Sequence, residues 1–245
     1  GSTFKLASYL ALLDSKKVDT ATIFDTKNGT VNFGRARVRD SNNKGYGQIS
    51  FGRGFEVSSN TVITQAANNA FKDSPKEFTD KLESFGMNST LGLDLKGEPK
   101  SYIPLPGEKN WSKIALPWMA YGYGILVTPL QTLTLYNAVA NNGEMVRPQF
   151  VKEIRKVNET IKIYEKSVIN PQIVSQETVK KMQQLLKNVV KRGTGKKLYS
   201  EEFSMAGKTG TAQMNYGKGK GSMYYASSFV GYFPADEPKY SCIVV

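Results

Sequence analysis

Histidine is absent from the 245 residues, and cysteine occurs once, at Cys242. The first absence excludes Ser–His and Cys–His catalytic pairs, imidazole metal sites and imidazole proton shuttles. The second excludes internal disulfides, thiolate zinc sites and iron–sulfur clusters. No stretch of about 18 consecutive apolar residues occurs, so nothing here has the makings of a membrane-spanning helix. No basic-then-apolar leader opens the chain either. Acid–base chemistry near neutral pH therefore falls to Lys, Asp, Glu, Tyr or water. Neither a metal nor a cofactor is expected.

What is present is basic and globular. Lys and Arg number 33 against 21 Asp and Glu, a formal charge of +12, and 40% of residues are hydrophobic, enough for a sizeable core. The chain opens at Gly1-Ser2-Thr3-Phe4-Lys5 and stops inside the apolar run Tyr240 to Val245. Both ends read as falling inside structural elements, so the sequence is expected to be a piece of a longer protein.

Apolar spacing predicts a buried helix over residues 3–13, starting near Ser2. Residues 20–57 read as loops with brief strands. Helices are expected over 58–71, 76–86, 129–141 and 175–192, the third opened by Pro129 and the fourth by Ser175. Residues 91–117 read mostly as loop and 146–174 as strands and turns. Three strands are expected over 203–213, 224–233 and 239–245, with Gly217 to Gly221 as a flexible hairpin tip and Cys242 in a core strand. The fold class is α+β, an antiparallel sheet near the C-terminal end flanked by helices. A helical lobe is expected over about 5–145 and a sheet-containing part over about 146–245.

Three short motifs occur in order. Ser2-Thr3-Phe4-Lys5 is S-x-x-K, Ser58-Ser59-Asn60 is S-x-N, and Lys208-Thr209-Gly210 is K-T-G, continued by Thr211. On a helix, residues three apart share a face, so Ser2 and Lys5 can meet. Ser2 at a helix start also sits beside free backbone N–H groups that favour developing negative charge. A serine nucleophile needs a base, and a lysine can serve if it is neutral. Burial, a second cation such as Lys208, and the helix dipole all push Lys5 toward neutrality.

Plainer readings exist for each motif. Ser2, Ser58 and Asn60 are ordinary capping residues in type. Ser41-Asn42-Asn43-Lys44 also matches S-x-x-K, but lies in a polar stretch without apolar periodicity. Gly207-Lys208-Thr209 resembles the tail of a P-loop, yet Glu202 stands where its first glycine belongs. The three motifs in sequence order, each on a plausible element, favour the catalytic reading.

The chain resembles the transpeptidase domain of class B penicillin-binding proteins. Gly1 to Lys5, Phe55 to Asn60, Gly92-Leu93-Asp94-Leu95-Lys96-Gly97-Glu98, Ala120 to Gln131, Ala206 to Gln213 and Ser228 to Pro234 are similar to that family's segments, and the likeness covers the whole chain. The resemblance implies a β-lactamase/transpeptidase-like fold lacking here its first strands and last helix. It implies a D,D-transpeptidase that cross-links peptidoglycan stem peptides ending in D-Ala–D-Ala and is acylated by β-lactams. Ser2 would be the nucleophile and Lys5 its base. Ser58 would relay a proton, and Asn60 would hold the substrate amide. Lys208, Thr209, Gly210 and Thr211 would form the carboxylate-binding strand, and the backbone N–H groups of Ser2 and Thr211 the oxyanion hole. It further implies a membrane anchor outside this sequence, a catalytic domain on the periplasmic or extracellular side, and a membrane glycan polymerase as partner. The run Tyr136 to Gly143 is more similar to division-specific members.

Two rivals remain at this point. One is a serine β-lactamase or β-lactam sensor with the same motifs, although no E-x-x-L-N-type loop for deacylation is found. The other is a non-enzymatic module that binds anionic polymers through the basic helix at 175–192. Nucleic acid is not expected, because the basic residues are not interleaved with aromatics.

Overall fold

A computed structural model describes residues 1–214 and 224–245; the hairpin tip expected at Gly217 to Gly221 lies outside them. A single 3-10 turn, Ser2–Phe4, runs directly into α1, Lys5–Asp14. Every α1 residue from Lys5 to Leu13 is buried. Two short antiparallel pairs follow. Strand β1 (Ile23–Asp25) pairs with β4 (Gln48–Ser50), and β2 (Thr30–Phe33) with β3 (Ala36–Arg39).

Helix α2, Phe51–Glu56, stands where the sequence reads as a brief strand. Its two glycines obscure a helical pattern, but they have a packing reason. A Cβ on Gly54 would lie 2.6 Å from Val62 Cγ1, so α2 and α3 touch through backbone at this point. Helix α3 spans Asn60–Phe71 and α4 spans Pro75–Ser84. The short α5, Ala115–Ala120, contains Pro117 and falls in and beyond a segment that reads as loop. Helix α6, Pro129–Ala140, opens with a reciprocal cap, in which Thr128 accepts from the Gln131 backbone and Gln131 returns to the Thr128 backbone. Strands β5 (Met145–Val146) and β8 (Val168–Asn170) pair around the hairpin of β6 (Glu153–Lys156) and β7 (Glu159–Ile163).

Helix α7, Gln176–Arg192, is capped by Ser175, with Glu177 in its first turn and Lys191 and Arg192 in its last, matching the helix dipole. The largest sheet among the described residues is antiparallel, in the order β11 (Tyr240–Val244), β10 (Tyr224–Phe233), β9 (Ala206–Met214). Helix α7 packs on β9, α6 packs on β10 and β11, and α1 sits between α3, α4 and α7. The result is the expected α+β arrangement. Cys242 departs from expectation: it is exposed, because β11 alternates and directs residues 240, 242 and 244 away from the core.

Candidate active site

The site lies where three distant segments meet. Strand β9 buries Ala206, Gly207, Lys208 and Gly210, while Thr209 is half-buried and Thr211 exposed. Gly210 faces the Ser2 turn: a Cβ there would lie 2.9 Å from Thr3 Cγ2 and 2.5 Å from Ser228 Oγ. Any larger residue would push the turn away. From the other side, the Gly1 nitrogen donates to Gly122 O at 3.0 Å, and Tyr136 Oη donates to Thr3 O at 2.8 Å. Gly122 has φ +90° and its missing Cβ would overlap Gly1 O at 2.3 Å, so glycine is required there on both counts.

Lys5 is fully buried one turn along from Ser2. Its Nζ donates to Ser58 O at 2.7 Å, Ser58 Oγ at 3.1 Å and Asn60 Oδ1 at 2.7 Å. Lys208 is also fully buried, and its Nζ donates to the same Ser58 Oγ at 2.9 Å and to Thr209 O at 3.0 Å. Phe55 closes the site, its ring centre 5.8 Å from Lys208 Nζ. Burial first, and then the Lys208 charge, hold the Lys5 ammonium well below the usual lysine range; the Asp40 carboxylate pulls weakly the other way. Burial lowers Lys208 to about 7. A neutral Lys5 retains two N–H groups. Its two 2.7 Å bonds use both, which leaves the lone pair to accept a proton.

Lys5, Ser58, Asn60 and Lys208 are thus joined in one hydrogen-bonded cluster. Ser2 lies one turn before Lys5, and its hydroxyl makes no hydrogen bond among the described residues. Thr209 Oγ1 lies 2.5 Å from Thr194 Oγ1, just past the end of α7. Gly1 lies against the Thr211 backbone: a Cβ on it would be 3.4 Å from Thr211 O. The alternative match at Ser41 to Lys44 is a turn, in which Asn42 Oδ1 accepts from the backbone of Lys44 and Gly45.

Sequence reasoning missed three residues. Thr194 carries no local signal beyond its Gly neighbours. Glu56, buried under Arg53 and Arg192, bonds through its backbone oxygen to Thr194 N at 3.0 Å. Asp40, buried beside the S-x-N turn, is the third. Each acts across a gap in sequence that no short pattern spans.

Residues 1–245 match the family model described as the penicillin-binding protein transpeptidase domain. Stage V sporulation protein D of Bacillus subtilis is 29% identical over 97% of this chain and 36% of its own length. Peptidoglycan D,D-transpeptidase FtsI of Buchnera aphidicola is 26% identical over 100% of this chain and 40% of its own length. The chain therefore spans well under half of these relatives. Among solved structures, the D,D-transpeptidase domain of a peptidoglycan glycosyltransferase from Eggerthella lenta superimposes with a TM-score of 0.84 at 29% identity, over 97% of this chain and 58% of that one. Penicillin-binding protein 3 of Mycobacterium tuberculosis, complexed with aztreonam, gives 0.83 at 26% identity, over 98% and 54%. With fold, motif order and full-length family match in agreement, the chain belongs to the transpeptidase domain family of penicillin-binding proteins, on its class B branch.

Proposed function

We propose that this domain is a serine D,D-transpeptidase that cross-links peptidoglycan stem peptides and is acylated by β-lactams. The observation that carries the reading is one hydroxyl, Ser58 Oγ, shared by two fully buried lysines. Such an arrangement is poor for stability and suits proton transfer.

Ser2 Oγ attacks the carbonyl carbon of the D-Ala–D-Ala bond as its proton passes to the Lys5 lone pair. The backbone N–H groups of Ser2 and Thr211 receive the developing oxyanion, each contributing roughly 3 kcal/mol of barrier reduction. The C–N bond then breaks. Ser58, with a proton drawn from the Lys5–Lys208 cluster, protonates the leaving D-Ala amine. Asn60 orients the substrate amide, while Lys208, Thr209 and Thr211 bind the terminal carboxylate, with Gly210 keeping the strand close to the nucleophile. The amine of a second stem peptide attacks the Ser2 ester and restores the hydroxyl. In the complete protein we place a membrane anchor outside this chain, the domain on the periplasmic or extracellular side, a membrane glycan polymerase as partner, and a role in cell division. Among the described residues no helix is long and apolar enough to cross a membrane.

Intact mass spectrometry with benzylpenicillin tests the reading. The wild type is expected to gain one long-lived adduct, and Ser2→Ala and Lys5→Ala none. Retention of the adduct in either variant sinks the assignment of roles. Release of the wild-type adduct within seconds would identify a β-lactamase instead.

A further inference from the structure

Asp40 follows β3 and is almost wholly buried, yet among the described residues it forms no ion pair. A bare carboxylate in that setting is unfavourable unless hydrogen bonds replace water. Every donor its carboxylate receives comes from three consecutive residues. Oδ1 accepts from Asn60 N at 2.6 Å, Thr61 N at 3.0 Å and Ser59 Oγ at 3.0 Å, and Oδ2 accepts from Thr61 Oγ1 at 2.9 Å. These donors form the first turn of the twelve-residue α3, where free N–H groups and the helix dipole both favour negative charge. The neighbouring Arg39 O accepts from Asn60 Nδ2 at 2.7 Å, fixing which way the Asn60 amide faces.

One residue earlier, Ser58 has φ +59°. A non-glycine residue holds that conformation only where its surroundings over-determine it. Ser59 N donating to Gly54 O at 2.8 Å holds the turn from α2, and Asp40 holds it from β3. The left-handed turn is what lets Ser58 O, Ser58 Oγ and Asn60 Oδ1 all face Lys5 Nζ. We propose that Asp40 is a positioning residue, whose carboxylate clamps the Ser58–Asn60 turn so that both side chains converge on Lys5. It touches neither substrate nor nucleophile; the inference rests on the transpeptidase reading of the site.

The clamp also has an electrostatic signature. The charged side chains facing Lys5 are Lys208 and Asp40. Tyr9 and Tyr46 face Asp40, their phenols pushed up by burial and then by its charge, so both stay neutral near pH 7. Asp40 is the one anion among the groups that shift Lys5. Removing its charge lowers Lys5 further, so more of the amine is neutral at a given pH.

The test is the second-order rate of acylation by a fluorescent penicillin as a function of pH. It uses the wild type, Asp40→Asn and Thr61→Val, each shown folded by circular dichroism. A core variant in α4, Leu82→Ala, on a helix that carries no residue of the site, controls for lost stability alone. Asp40→Asn is expected to lose about a hundredfold in rate at its optimum, as for a catalytic group displaced by roughly 1 Å, with the ascending limb moved to lower pH. Thr61→Val keeps the charge and withdraws one donor; it is expected to lose a few-fold with the limb unmoved. A folded Asp40→Asn with wild-type rate and limb overturns the proposal. So does a loss matched by Leu82→Ala at equal stability, which would reduce Asp40 to a helix cap. If Asp40→Asn does not fold, Thr61→Val decides, with an unchanged rate overturning the clamp. Failure of the transpeptidase reading would show separately, as acylation surviving Ser2→Ala.

Discussion

Gathering two lysine side chains around one hydroxyl opposes folding, because each ammonium leaves water and each repels the other. In the unfolded chain both lysines titrate near 10.5, whereas folded Lys208 titrates near 7 and Lys5 lies well below its usual range. Between about pH 7 and 10.5 the unfolded chain therefore binds more protons than the folded one. Stability must rise with pH across that window and be lowest below it. Urea denaturation midpoints measured through the window are expected to climb. Lys208→Met is expected to flatten the climb, to stabilise the protein at pH 7 by roughly 1–4 kcal/mol, and to slow acylation by about 10²-fold or more. A lower midpoint for Lys208→Met at pH 7 would show that its two hydrogen bonds outweigh the burial of its charge.

Between elements, the join of α2 to α7 sets the far wall of the site. Glu56 is 1% exposed and accepts from Arg192 Nη2 at 2.8 Å, Arg192 Nε at 3.1 Å, Arg53 Nη1 at 2.9 Å and Asn188 Nδ2 at 2.9 Å. Burial pushes its carboxyl up, but the bonds from Arg192 and Arg53 outweigh it and hold the group below the usual range. Its contribution is therefore present above the ordinary glutamate range and lost as pH falls through the lowered value. Glu56→Ala removes a buried acceptor of four hydrogen bonds while the two arginines stay solvated, and is expected to cost about 1–3 kcal/mol in chemical denaturation. Because Thr194 hangs from Glu56 O and meets Thr209, the same variant should weaken penicillin binding more than a matched loss of stability elsewhere.

For the chain taken entire, the terminal sheet, the long helices and the three motifs were legible because each is local. Apolar period, caps and short patterns carry them. Helix α2 was not, because Gly52 and Gly54 serve contact with neighbours and not helix propensity. Cys242 was misplaced because strand alternation gives two faces without saying which one is covered. Asp40 was invisible for a further reason. Its meaning lies in donors 19 to 21 residues away, brought together only when β3 docks on α3. The formal charge of +12 was plain from composition, and it too has a measurable effect. Acylation by an anionic penicillin should slow as salt is added, whereas a zwitterionic one should respond less. Equal salt dependence for both would count against electrostatic steering.

The Ser2 turn is tied to Gly122 and Tyr136, 121 and 133 residues away, and pressed against Gly210. None of these ties exists until the helices and the sheet have all closed on one another. On the proposed reading, a covalent penicillin tag would serve as a census of finished molecules: in a heated or freshly refolded sample, the fraction taking the label would count chains whose distant parts have already found each other.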